Sequence, residues 1–242
     1  MLFSPPPRNF RDELLDLDEA PFEEVKDSLQ DVQTVNTYLS GYRVLLLHIE
    51  RFFRRKKKGD PLSILDAATG SGDQPRAVVQ FAREHGWPVH ITGLDINMKM
   101  IRFAREECAG FPEIQFVQGN ALNLPFRDRS FDVVINNLSL HHFAENDAIQ
   151  MMREFSRLSR LGFIINDLHR SRVAHAAIWI LTRLLTRNRL TRYDAPVSVY
   201  NAFTPAEMEA MAVEAGLKHF KVHRHFPYRI ALVEEKPEGG PL

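Results

Sequence analysis

The chain of 242 residues has a single cysteine, Cys108. One thiol excludes an intrachain disulfide and any metal centre built from several cysteines. Net charge is missing as well, because Lys plus Arg and Asp plus Glu each total 31. A balanced chain exerts no overall pull on nucleic acid. No apolar run approaches the roughly 18 residues that suggest a membrane span. The sequence also lacks a basic segment leading into a signal-like apolar stretch, so a cytoplasmic protein is expected. Apolar residues at 44% and charged residues at 26% are ordinary for a globular chain, which is long enough for one large domain or a domain with a cap.

What is present is organised around residues 62–74, LSILDAATGSGDQ. An apolar run reads as a short buried strand ending at Asp66, and a turn of small residues leads into a helical pattern near Asp73. Strand, turn and helix N-terminus together form a nucleotide cradle in α/β sheets. Gly70 and Gly72 lack a Cβ, so their backbone can approach a ligand closely. Beyond this turn, apolar runs ending near Asp95, Val117, Ile135 and Ile165 alternate with helical spacing. A final helix and a strand pair at 217–224 and 227–234 follow, which predicts an α/β fold. Its sheet is Rossmann-like, mixed and seven-stranded, with helices on both faces. Asp95, at the end of the second strand, is placed to accept both hydroxyls of a ribose. Asp66 reads equally as a carboxylate beside a cationic ligand or as a structural acceptor for turn amides.

Residues 1–58 read as a loose arm over 1–9 followed by two or three helices that cap the sheet. RFFRRKKK at 51–58 is expected to be a solvated helix end, not a nucleic-acid site. Residues 59–242 form the second unit, with an insertion over 168–203. Within that insertion VAHAAIWILTRLLTR at 173–187 is a largely apolar helix, expected as a lid over a hydrophobic or aromatic small molecule. Its other uses are contact with an anionic membrane or packing in a homodimer; a monomer is the alternative. Residues 193–200 read as an irregular return. Thr204-Pro205-Ala206-Glu207 reads as a capped helix start, and EKPEGGPL as a disordered tail.

Four ordered pieces carry a resemblance: LDAATGSG at 65–72, TGLDINMKMIRFAR at 92–105, FVQGNALNLPFRDRSFDVV at 116–134 and NNLSLHHF at 136–143. Together they resemble the class I S-adenosylmethionine-dependent methyltransferases, in particular the small-molecule branch with the quinone-biosynthetic enzymes. The resemblance implies S-adenosylmethionine as cofactor and S-adenosylhomocysteine as product. It sets Asp66, Ala68, Gly70 and Gly72 beside the methionyl part and Asp95 on the ribose. Ile96 and Met100 would line the adenine, Asn120 and Ala121 would stand at its edge, and Asn137 and Leu138 would lie below the transferring methyl. Two residues depart from the family pattern. Ala68 stands where glycine is usual, and Asn120 where an aspartate is common. A dehydrogenase fits less well, since the turn lacks the third glycine of G-x-G-x-x-G.

On the acceptor side, His141 and His169 are the candidate bases for O-methylation of a phenol or hydroxyl. Carbon or nitrogen methylation of a quinone-like molecule and a non-catalytic binding or assembly role are the alternatives. His142, Arg170, Trp179, Tyr193 and Tyr200 are the candidate acceptor-binding residues. Metal ligation by Asp167, His169 and His141 lacks a compact motif, and no metal is expected. No nucleic-acid partner is expected either.

Overall fold

The computed structural model describes residues 5–17 and 19–237. Helices α1 (Phe22–Tyr38) and α2 (Gly41–Arg54) precede β1 (Leu62–Ala67), α3 (Asp73–His85), β2 (Val89–Asp95), α4 (Met98–Glu107), β3 (Ile114–Gln118) and β4 (Phe131–Asn137). A 3-10 turn at Leu140–His142 leads to α5 (Glu145–Leu158) and β5 (Ser159–Leu168). The chain closes through α6 (Arg172–Leu185), α7 (Arg189–Asn201), α8 (Pro205–Glu214), β6 (Phe220–His225) and β7 (Arg229–Glu235).

The seven strands form one sheet in the order β3-β2-β1-β4-β5-β7-β6. The first five are mutually parallel, and β7 runs antiparallel between β5 and β6. This is the mixed Rossmann-like sheet expected from the alternating pattern. Its inner strands are buried on both faces, and for that reason read as near-continuous apolar runs. One apolar layer joins Val44, Ile49 and Phe52 of α2 and Val78 of α3 to Ile64, Ile91 and Ile135. The other joins Met152 and Phe155 of α5 and Met208 of α8 to Leu65, Val134, Phe163 and Leu232. The strand order reverses between β1 and β4, and their C-terminal ends open the crevice where such sheets take ligands.

Three local expectations need correction. Residues 193–200 belong to the helix α7, although Pro196 lies inside it. The Asn188 side chain caps that helix, and Asp194 and Asn201 bind the N-terminal segment, which offsets the amide that proline lacks. Residues 5–9 are also not loose. Arg170 donates to the Pro6 carbonyl at 2.8 Å, and Arg8 donates to the carbonyls of Asn201, His141 and Phe143 at 2.6, 3.1 and 2.7 Å. The supposed tail begins inside β7, and the Lys236 amide pairs with the Leu161 carbonyl; residues 238–242 lie outside the described residues.

The capped start of α8 is as read. The Thr204 hydroxyl accepts from Glu207 N while the Glu207 carboxylate accepts from Thr204 N. The basic stretch after α2 is partly pinned inward, with Arg55 on the Lys236 carbonyl at 2.6 Å and Lys56 on Asp132 at 3.0 Å. Among the described residues no helix is long and apolar enough to cross a membrane.

Candidate active site

The cradle is formed by the turn between β1 and α3. Ala68, Gly70 and Gly72 all take left-handed backbone conformations, with φ of +59°, +53° and +72°. A Cβ on Gly72 would lie 2.9 Å from Cys108 Sγ and 3.1 Å from the Phe116 ring, whereas one on Gly70 would meet nothing within 4 Å. Gly72 is therefore required by packing, and Gly70 leaves open space for a ligand to approach its backbone. At Ala68 the turn keeps the geometry of a glycine despite a side chain, at a cost of about 1–2 kcal/mol. Helix α1 covers this turn through Gln33, which reaches the Ser71 hydroxyl at 3.4 Å, and Tyr42 of α2 donates to Asp73 at 2.8 Å.

Two acids meet the turn. Asp95 accepts from Gly70 N at 2.8 Å through one oxygen and from Asn97 N at 2.9 Å through the other. Each oxygen keeps a second lone pair, so a ribose diol can still be accepted. Burial raises the Asp95 pKa, and the backbone donors pull against that rise. Asp66 is 1% exposed and accepts from the Thr69 hydroxyl at 2.6 Å. Burial pushes its carboxyl up to about 8, with the Thr69 bond opposing and the charges of Asp73 and Asp95 adding to the rise.

Around these acids, Ile96 is exposed and Ala121 is buried. Met100 lines a cavity of about 290 Å³ together with Leu15, Phe22, Val25 and Phe103. Asn120 is exposed, and its carbonyl oxygen accepts from Leu122 N at 2.9 Å, so that atom is already used by its own turn. At the end of β4 the Asn136 amide ties the strand to the Ala67 carbonyl at 2.8 Å. Asn137 is buried with its Nδ2 unpartnered, and Leu138 is held at φ +51°. An orphaned buried donor and an open glycine backbone on one sheet edge are what a polar nucleoside ligand would satisfy, and the residues present fit S-adenosylmethionine.

The acceptor rim is assembled differently. The His141 ring is 2% exposed, with Nδ1 2.7 Å from Asp167 Oδ1 and Nε2 3.4 Å from Glu13 Oε1. The His141 amide also donates to Asp167 Oδ2 at 2.9 Å. Burial works against a charge on this ring, but Asp167 and then Glu13 outweigh it and lift the pKa to about 10. Between two carboxylates His141 is held as an imidazolium, which opposes its expected use as a base near neutrality. His169 is half-buried against Tyr228 of the β6–β7 turn, at 6.2 Å between ring centres. Burial, Arg224 and Arg170 lower its pKa, which favours the neutral ring.

Of the remaining acceptor candidates, His142 stands beside His141, its Nδ1 2.7 Å from Asp16. Arg170 differs from expectation. Its guanidinium is buried and divided among the Pro6 carbonyl, the Ala202 carbonyl and Glu207, so it fastens the N-terminal segment to α8 and offers no free cation. Trp179 is half-exposed under the Arg183 guanidinium, 3.7 Å from its ring centre, and Tyr193 is exposed. The Tyr200 ring packs at a tilt against His175, 4.0 Å between ring centres. Sequence reasoning missed Glu13, Asp16 and Asp194. The last accepts from the amides of Leu14 and Leu15 at 2.7 and 3.2 Å and thereby places Glu13 and Asp16. Nothing in their spacing signals this, because their partners lie more than 120 positions away.

Residues 64–162, which hold β1 through β4 and the start of β5, match the methyltransferase domain family. A demethylmenaquinone methyltransferase of Chlorobaculum tepidum is 35% identical over 99 residues, covering 41% of this chain and 37% of that protein. One from Listeria welshimeri is 34% identical over 110 residues, covering 45% of this chain and 44% of that protein. The chain thus spans less than half the length of these curated relatives. Among solved structures, a SAM-dependent methyltransferase from Aquifex aeolicus overlays with a TM-score of 0.55 at 14% identity, over 78% of this chain and 87% of that one. The plantazolicin methyltransferase BpumL, in complex with SAH and a triazolic desmethylPZN analog, overlays with a TM-score of 0.64 at 14% identity, over 92% and 93%. Residues 64–162 thus match a methyltransferase domain, and the chain shares its fold with solved SAM-dependent methyltransferases.

Proposed function

We propose that this protein transfers a methyl group from S-adenosylmethionine to a small aromatic acceptor of the phenol or quinol type. The observation that carries the reading is the pairing of Asp95 with the Gly70 amide at 2.8 Å, which sets a carboxylate and an open backbone turn on one sheet edge. When bound, S-adenosylmethionine supplies an electrophilic methyl group on a sulfonium. Asp95 accepts the ribose hydroxyls through its free lone pairs, and the glycine turn accommodates the methionyl end. Asp66, kept neutral by burial, regains its charge beside a cationic ligand. The Asn137 amide supplies a donor that has no other partner.

At the rim, His169 is the residue to take a proton from an acceptor hydroxyl, because its surroundings favour the neutral imidazole. His141 acts through its position, fixed on both sides by carboxylates. The relatives' name, demethylmenaquinone methyltransferase, favours a quinone-like acceptor and keeps carbon methylation beside oxygen methylation as the transfer to test. The apolar face of α6, where Ile180, Leu184 and Leu185 are exposed, suits an acceptor with a lipid-like tail or one drawn from a membrane surface.

Calorimetric titration with S-adenosylmethionine, S-adenosylhomocysteine and NAD tests the cofactor. Saturable binding of the two sulfur nucleosides with NAD inert is the expected outcome. Binding of neither would remove the methyl-transfer reading and leave a non-catalytic assembly role. Product mass and regiochemistry from a screen of phenols and quinols then separate oxygen from carbon transfer.

A further inference from the structure

Where the N-terminal segment crosses the 3-10 turn, Glu13, His141 and His142 bring one carboxylate and two imidazoles together, with one ligand atom from each lying within 4.8 Å of the others. The two rings are prepared in the same way. Each turns Nδ1 onto a carboxylate at 2.7 Å, His141 onto Asp167 and His142 onto Asp16. Each turns Nε2 toward Glu13, at 3.4 Å from Oε1 for His141 and 4.0 Å from Oε2 for His142. A carboxylate on Nδ1 is how proteins orient a metal-binding histidine, and an ion arriving at Nε2 takes the place of the proton that the His141 ring carries there. Glu13 is itself oriented, since the Ser198 hydroxyl donates to Oε1 at 2.6 Å and leaves Oε2 for another partner.

Charge points the same way. Glu13, Asp16 and Asp167 converge on two imidazoles, while the nearby Arg8 gives its hydrogen bonds to backbone carbonyls and Arg170 pairs with Glu207. Glu13 and Asp167 are buried while Asp16 is exposed, and a second positive charge beside the His141 ring balances the buried pair.

We propose that Glu13, His141 and His142 bind a divalent transition-metal ion of the zinc class. Ligand atoms sharing an ion at about 2.1 Å lie no more than about 4.2 Å apart, so small side-chain rotations close the site. Two imidazoles and one carboxylate select zinc, iron, manganese or cobalt over magnesium or calcium. Three protein ligands are the number found where a coordination position stays open for an oxygen ligand, here an acceptor hydroxyl or its anion. The expectation of no metal rested on spacing along the chain, and Glu13 joins the histidines only through the fold. The binding site goes beyond the methyl-transfer reading and stands without it, because the metal alone is the probe.

The test is titration of full-length, chelator-stripped protein with zinc chloride, followed by calorimetry and metal analysis after dialysis. One equivalent should bind at micromolar free zinc or below, with magnesium inert. Both Glu13→Gln and His142→Asn should weaken binding by about 100-fold and Asp16→Asn by about tenfold, while His225→Asn, in the separate cluster of His48, His223 and His225, should leave it unchanged. Cobalt(II) provides a readout that needs no variant, since its visible spectrum reports nitrogen ligation in the wild-type chain. Absence of stoichiometric zinc overturns the proposal, as does zinc retained by His142→Asn and Glu13→Gln or lost in His225→Asn.

Discussion

Asp66 and Asp167 are the same residue type, each 1% exposed, at the C-terminal edge of the parallel strands of one sheet. Their protonation is opposite. Asp66, at the end of β1, has a hydroxyl for a partner and is pushed up to about 8 by burial. Asp167, near the end of β5, suffers the same burial, but the charge and hydrogen bond of His141 bring it below the usual carboxylate range. Burial alone thus does not decide whether an acid is charged; the partner does. On the cradle side Asp66 stays neutral until a ligand arrives, and the rim side carries a completed ion pair.

The largest expected effect separates the two acids directly. Asp167→Asn leaves a buried imidazolium with one of its two carboxylates and should cost about 3–5 kcal/mol in urea unfolding at neutral pH. Asp66→Asn replaces an acid that is already neutral and should cost no stability at neutral pH, where it also removes the penalty of keeping a carboxyl protonated. Equal losses would end the contrast.

Changing pH sharpens it. The folded pKa of Asp66 lies above its unfolded value of 3.8, so its contribution is complete below 3.8 and fades as pH rises through about 8. That of Asp167 is lowered and its contribution is lost as pH falls, while His141, raised from 6.5 to about 10, contributes fully below 6.5 and loses its effect toward pH 10. The stability gap between wild type and Asp167→Asn should therefore be widest near pH 5–6 and narrow toward pH 10. Asp66→Asn should gain on wild type from pH 4 to 8. Denaturation midpoints across this range read both slopes.

Asp95 is the intermediate case, buried but bonded to two amides. Asp95→Ala should weaken S-adenosylmethionine binding about 100-fold, the loss of about 3 kcal/mol of charge-assisted hydrogen bonds, with the fold retained by circular dichroism. Unchanged affinity would remove its ribose role. The smallest effect belongs to the turn itself: Ala68→Gly should raise stability by at most about 1 kcal/mol by relieving the left-handed strain, read as a small rise in the denaturation midpoint.

The cradle was legible in the sequence and the rim was not, for a physical reason. LDAATGSG, the strand ending at Asp95 and the apolar runs of β3 to β5 carry their signal within a few residues of each functional group. Ala68 was visible as a departure, though its φ of +59° was not. His141, Asp167 and His169 were each singled out, yet no spacing reveals that the first two form a pair and the third does not. α7 escaped because Pro196 and a polar composition hide a helix that is held by contacts to the N-terminal segment. Arg170 looked like a free cation because the Pro6 carbonyl that it binds is 164 positions away.

These separations bear on how the molecule is built. Arg8 reaches Asn201 across 193 positions, and Leu14 reaches Asp194 across 180. Contacts closing loops of this length come after the entropy of the whole intervening chain has been lost. The segment carrying Glu13 and Asp16 leaves the ribosome before any strand of the sheet, yet it can dock only when β5, α7 and the turn at Leu140–His142 are in place. The cradle can therefore form while the rim is still open, and the first part of the site to be synthesised is the last to be assembled.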